Sequence, residues 1–297
     1  MKYIFDTLSM YFSDPVLSGV LIRALVVGVP IALCAALLGV TLVLKRYSMI
    51  GDGLSHVGFG ALAVATALGL GGEAGVYSTS TLLISLPIVI IAAFLMLRLS
   101  QSSEIKGDAV IALVSTGAIA VGYIIFSLSG NGAAADVCSS LFGKSSVISI
   151  DDIAVPISLA LSVAVIALYV FSYTRIFSVT FDESFSKATG VRVNTYNTLL
   201  AVLTAVTIVM GMQLIGAVMI SGMIVFPTLS AMRVASSFKR VVILSAVISV
   251  LSYIVGFFIA AVYGLPTGPS VICVNIAVFI VASVISLISG HKNSTAN

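Results

Sequence analysis

The feature that most constrains this chain is a succession of apolar stretches, each of about membrane-crossing length, separated by short polar turns. A spanning helix needs about 20 mostly apolar residues. Such stretches fall at 17–44, 50–70, 80–98, 109–129, 153–173, 198–215, 217–233, 241–263 and 270–289. Only 8% of the 297 residues are charged and 60% are hydrophobic, whereas soluble domains carry about 25% charged residues. In a bilayer the backbone must satisfy its own hydrogen bonds, so each stretch is predicted as a helix. The fold class is therefore an all-α polytopic membrane protein with about nine transmembrane helices, eight to ten at the limits. The sixth and seventh stretches run together through Gly211, Gly216 and Gly222 to Pro227, and broken helices are an expectation there.

Basic residues orient the spans, because cytoplasmic loops collect Lys and Arg. A cytoplasmic Lys45–Arg46 turn places Arg98, Lys106, Arg175, Lys187, Arg192, Arg233, Lys239, Arg240 and Lys292 on the same side, eleven of the fourteen Lys and Arg. The N-terminus is then outside and the C-terminus inside. Residues 1–16 read as an interfacial N-terminal segment with no cleavable signal, Tyr3, Ile4, Phe5, Leu8, Tyr11 and Phe12 forming its apolar face. Residues 17–289 read as a single transmembrane domain with a cytoplasmic loop at about 174–197, and 290–297 as a polar tail. The outer segments hold Glu73, Asp136, Asp151 and Asp152. These form an acidic mouth that concentrates cations, or simply collect where Lys and Arg are excluded. Cys34, Cys138 and Cys273 are too far apart to suggest a disulfide framework or metal motif.

One segment carries chemistry. Asp52 and His56, one of two histidines in the chain, stand four residues apart in the second stretch. That spacing puts both on one helix face. A rise of 1.5 Å per residue sets His56 about 15 Å from a surface at Arg46, near the middle of the hydrocarbon core. Ionisable groups at such depth mark functional sites, although a hydrogen-bonded structural pair is the plain alternative. Carboxylate and imidazole suit zinc and accept manganese or iron, and the absence of thiolate argues against Cu(I). Two donors leave a shell incomplete, so water, backbone or a second copy must contribute.

A second segment, Thr180 to Val191, lies in the cytoplasmic loop. Thr180 with Glu183 reads as a capping box, Gly190 suits the helix end, and Phe181, Phe185 and Ala188 share a face. The short helix either docks a soluble partner or lies on lipid. The Gly143-Lys144-Ser145 run lacks the first glycine of a phosphate-binding loop, position 138 being Cys138, so no nucleotide site is expected. No hydrolase motif is present, and no nucleic-acid partner is expected. Met210, Met212, Met219 and Met223 read as packing residues rather than a soft-metal path.

These residues resemble a known family. Gly51-Asp-Gly-Leu-Ser-His56, Leu141-Phe-Gly143, Phe181 to Val191, Gln213-Leu-Ile-Gly216 through Phe226-Pro227, and Leu265-Pro-Thr-Gly-Pro269 are similar, in order, to the membrane subunits of ABC-type zinc/manganese importers. The resemblance implies a homodimeric permease, not itself an enzyme, in the cell membrane. It works with two copies of a separate cytoplasmic ATPase and an extracytoplasmic metal-binding protein. It implies that Asp52 and His56 contact the transported ion, with no permanently bound cofactor, and that Phe181, Asp182, Glu183, Phe185, Ala188 and Gly190 belong to the ATPase-coupling loop. The cargo expected is zinc, with manganese or iron as alternatives. A stand-alone cation channel or secondary carrier is the other class.

Overall fold

A helix of at least 18 residues lies along each of the nine apolar stretches in the computed structural model, which describes residues 15–68, 79–102, 107–128 and 154–288. They are α1 (Pro15–Leu44), α2 (Ser48–Ala67), α3 (Thr79–Ser102), α4 (Gly107–Leu128) and α5 (Ala154–Phe171), then α8 (Val193–Ile215), α9 (Ala217–Val234), α10 (Phe238–Tyr263) and α11 (Thr267–Ile288). Two short helices, α6 (Tyr173–Phe181) and α7 (Glu183–Ala188), stand between α5 and α8. The architecture is all-helical among the described residues. Among the described residues six helices are long and apolar enough to cross a membrane, and α5 with α6, one pair bent by 65°, makes a seventh candidate span. Two long helices fall short of that: α2, whose apolar character Gly51, Asp52, Ser55 and His56 dilute, and α3, whose apolar part is the shorter Leu83–Met96. The first 14 residues, Glu73, Asp136, Asp151, Asp152, the Leu141–Gly143 motif and the tail lie outside the described residues.

Helix α1 is the hub. Ile31, Ala32, Ala35, Ala36 and Val40 are wholly buried along it, and its neighbours approach closely because its contact faces are small. At Gly39 an added Cβ would stand 2.1 Å from the Ile224 carbonyl oxygen of α9, so only glycine fits that crossing. Side-chain hydrogen bonds to α1 carbonyls reinforce the packing. Ser249 donates to Ala32 at 2.9 Å and Tyr253 to Ala24 at 3.1 Å, both from α10. Helix α2 meets α4 in the same close manner, a Cβ on Gly122 falling 2.8 Å from the Gly60 Cα. The four methionines are buried in these contacts, as packing residues. Outward faces stay apolar: Leu113, Ile124 and Leu128 on α4, and Ile280, Leu287 and Ile288 on α11, are exposed.

Two local expectations are corrected. The sixth and seventh stretches are not broken within themselves; α8 and α9 are continuous, and α9 passes through Pro227. Helix is interrupted between them at Gly216 alone, whose φ of 106° and ψ of 148° suit glycine. The capping box at Thr180 is also absent. Thr180 belongs to α6, its hydroxyl donating to the Ile176 carbonyl at 2.6 Å. Asp182 caps α7 instead, accepting the Phe185 N–H at 2.8 Å. The Glu183 carboxylate that a box at Thr180 would turn back is bonded to Lys45 and Asn197 instead, and the extended backbone at Asp182 breaks the chain between α6 and α7. The expected stop at Gly190 is present. Its φ is +81°, its N–H binds Lys187, and the Val191 N–H binds Ser186, the bonding of a Schellman termination.

Candidate metal-transit site and its tie to the basic end

Helix α2 buries one face through Gly53, Leu54, Val57 and Ala61 and turns another toward Asp52 and His56. The Ser55 hydroxyl folds back onto the Gly51 carbonyl at 2.8 Å, away from the pair. His56 Nε2 stands 3.4 Å from Asp52 Oδ2, with the imidazole 24% and the carboxylate 55% exposed. The contact is in ion-pair range but longer than an ordinary N–H···O bond, so the two groups are neighbours without being locked together. Ser221, on α9, lies alongside the carboxylate. The Nδ1 atom of His56 is buried and has no hydrogen-bond partner among the described residues. If Nε2 carries the proton toward Asp52, Nδ1 holds an unused lone pair. A buried polar atom without a partner is costly, and a cation supplies one. No group of three or more His, Cys, Asp or Glu gathers at any point among the described residues.

At the end of the bundle where α1 stops, the polar chemistry is of another kind. Lys45 Nζ donates to Glu183 Oε1 at 3.0 Å and to Asn197 Oδ1, while Asn197 Nδ2 donates to the same Glu183 oxygen at 3.2 Å. The Lys45 side chain is 7% exposed and that of Glu183 43%. Burial pushes the Lys45 ammonium below its ordinary pKa, and Glu183 pulls it partly back. For Glu183 burial acts upward, but Lys45 and Asn197 outweigh it and hold the carboxylate below its usual range. The difference follows from exposure: the lysine is the desolvated partner, and the glutamate keeps one side in water.

The coupling-loop residues divide. Phe181, Asp182, Phe185, Ala188 and Gly190 are exposed, while Glu183 turns inward to Lys45. Phe181 ends α6 and packs on Phe177 and Phe238, with ring centroids 4.9 and 5.8 Å away. Phe185 stands 62% exposed on α7. The sequence reading missed Lys45, Asn197 and Ser221 as site-related residues. Lys45 was absorbed by the orientation rule, and a lone Asn or Ser in an apolar stretch carries no pattern.

The fold and site define a class: a multi-pass helical transport protein of the cell membrane with an acid–imidazole pair set into one of its helices. The sequence profile of the ABC 3 transport family matches residues 18–286, and the chain belongs to that family. Similar proteins include the manganese import system permease protein ScaB of Streptococcus gordonii, 26% identical over 266 residues and 90% of each chain. Another is the high-affinity zinc uptake system membrane protein ZnuB of Haemophilus influenzae, 25% identical over 263 residues, 89% of this chain and 96% of that one. In fold the chain is similar to PsaBC from Streptococcus pneumoniae in complex with Fab, with a TM-score of 0.78 at 24% identity, covering 94% and 95% of the two chains.

Proposed function

We propose that this chain is the permease subunit of an ATP-driven importer of divalent transition-metal ions, and that Asp52 and His56 contact the ion in transit. The observation that carries the reading is the pair itself, a carboxylate and an imidazole 3.4 Å apart with one buried ring nitrogen unpartnered. Names of relatives, which speak of manganese import and zinc uptake, support it. In this reading nine helices span the membrane with the N-terminus outside, and residues 17–289 work as one domain. Two copies of the chain assemble so that both Asp52–His56 pairs serve one pathway. An extracytoplasmic metal-binding protein delivers the ion, and a separate cytoplasmic ATPase docks on the exposed Phe185 face of α7. ATP turnover in that partner alternates the opening of the pathway.

The cargo we favour is zinc. Two imidazoles and two carboxylates from paired subunits supply a four-donor nitrogen and oxygen shell suited to zinc. Manganese is the second reading, favoured by the several manganese importers among the relatives and served equally well by one pair plus water. Uptake of radioactive metal in cells tests the site. Asp52→Asn and His56→Ala should each remove uptake while the protein remains inserted, and near-normal uptake in both rejects the assignment. Growth of a strain without its own importers, in chelated medium, tests the ion. Rescue by trace manganese and not by trace zinc overturns the choice of zinc alone.

A further inference from the structure

We infer that the Lys45–Glu183–Asn197 triad is the joint through which movement of α7 reaches α2, so that Lys45 and Glu183 are positioning residues for transport. The inference rests on the docking reading of α7 given above. Its geometry begins at the connection between α1 and α2, which is only the three residues Lys45, Arg46 and Tyr47. Arg46 adopts a left-handed φ of 61°. The Arg46 N–H binds the Val43 carbonyl at 3.0 Å, the Tyr47 N–H binds Leu42 at 2.8 Å, and the Ile50 N–H binds Tyr47 at 3.0 Å. The corner is hydrogen-bonded through its whole length, so displacement of Lys45 carries the start of α2 with it. Asp52 follows one turn beyond Ser48.

The other side of the joint is equally direct. Glu183 is the first residue of α7, beside its Asp182 cap, and Asn197 lies in the second turn of α8. The Ser186 hydroxyl ties α7 to Ser178 of α6 at 2.7 Å, a local contact. The bond from Glu183 to Lys45 bridges 138 positions in the chain. Separating a largely buried ammonium from its partners is strongly unfavourable, so a load on α7 moves the corner before it parts the triad. Asn197 bonds both charges at once and holds their spacing. A pair serving only to anchor the loop would affect assembly and leave coupling untouched.

The test uses the whole importer, permease with its ATPase, in lipid vesicles. It measures ATPase capture, ATP hydrolysis and uptake of radioactive zinc or manganese. Glu183→Gln should leave capture and hydrolysis near wild type while uptake per ATP falls about tenfold, within the range that couplings between sites span. Glu183→Asp keeps the charge on a shorter arm, slackens the tie, and should lower the same ratio with capture and the thermal midpoint preserved. Exchanging the charges, Lys45→Glu with Glu183→Lys, should restore the ratio to within about twofold of wild type, since the Asn197 amide can turn over to serve the reversed pair. An unchanged ratio in Glu183→Gln or Glu183→Asp overturns the inference, as does uptake that falls only in proportion to captured ATPase. Failure of the docking reading shows separately, as normal capture by Phe185→Asp, and overturns the inference with it.

Discussion

The two polar clusters of this bundle sit on adjoining segments and are built in opposite ways. Asp52 and His56 are loosely paired, partly exposed and short of partners. Lys45, Glu183 and Asn197 each bond the other two, around an ammonium that is nearly buried. A group that must accept and release a cation cannot already be saturated by its neighbours, whereas a structural or mechanical tie is stronger the fewer bonds it leaves open. Unmet bonding capacity thus separates a place of exchange from a place of attachment.

Four experiments press on that contrast. The largest effect belongs to His56→Ala, which should lower metal uptake by about a hundredfold or more without moving the thermal midpoint in detergent. A matching loss of stability would make the pair structural and end the contrast. Next is Lys45→Met, which removes the donor to Asn197 and strips Glu183 of its counter-charge. It should cost about 3 kcal/mol, read as a lowered thermal midpoint; no shift would mean that the triad holds nothing. Gly216→Ala forces a side chain into a backbone conformation suited to glycine, at about 2 kcal/mol. Because Gly216 links the helix of Asn197 to the helix of Ser221, the variant should lose stability with uptake per ATP unchanged. Ser249→Ala, in contact with neither cluster, sets the background at about 0.6 kcal/mol, typical of a hydrogen bond between membrane helices.

The positions of the nine long helices were legible because apolar length is a one-dimensional signal, and each lies within a few residues of its stretch. Asp52 and His56 were legible for a related reason: their contact is local, four residues along a single helix. The tie from Lys45 to Glu183 and Asn197 was not, since no periodicity connects residues 138 and 152 positions apart. The basic character of Lys45 had a sufficient explanation in topology, which concealed a second use. The bend between α5 and α6 was hidden too, because Phe171, Ser172 and Tyr173 prolong the apolar stretch without any proline or glycine to mark the change of direction. The capping box read at Thr180 failed because Lys45, distant in the chain, takes the Glu183 carboxylate, and Asp182 caps α7 instead.

The polarity of α2 bears on how the protein is made. A helix holding Gly51, Asp52, Ser55 and His56 has little affinity of its own for hydrocarbon, since a carboxylate at a helix centre costs about 3 kcal/mol on insertion scales and Asp52, about one turn short of it, bears part of that cost. The surface of α4 at Ala118 and Gly122 that fits against Gly60 is synthesised later. During translation α2 therefore depends on α1, a long and strongly apolar helix joined to it by three residues. The expectation is that the pair enters the bilayer as a hairpin, with the first helix supplying the anchorage that the second lacks. Fused to a topology reporter, α2 alone should stay outside the membrane, and α1 with α2 should insert.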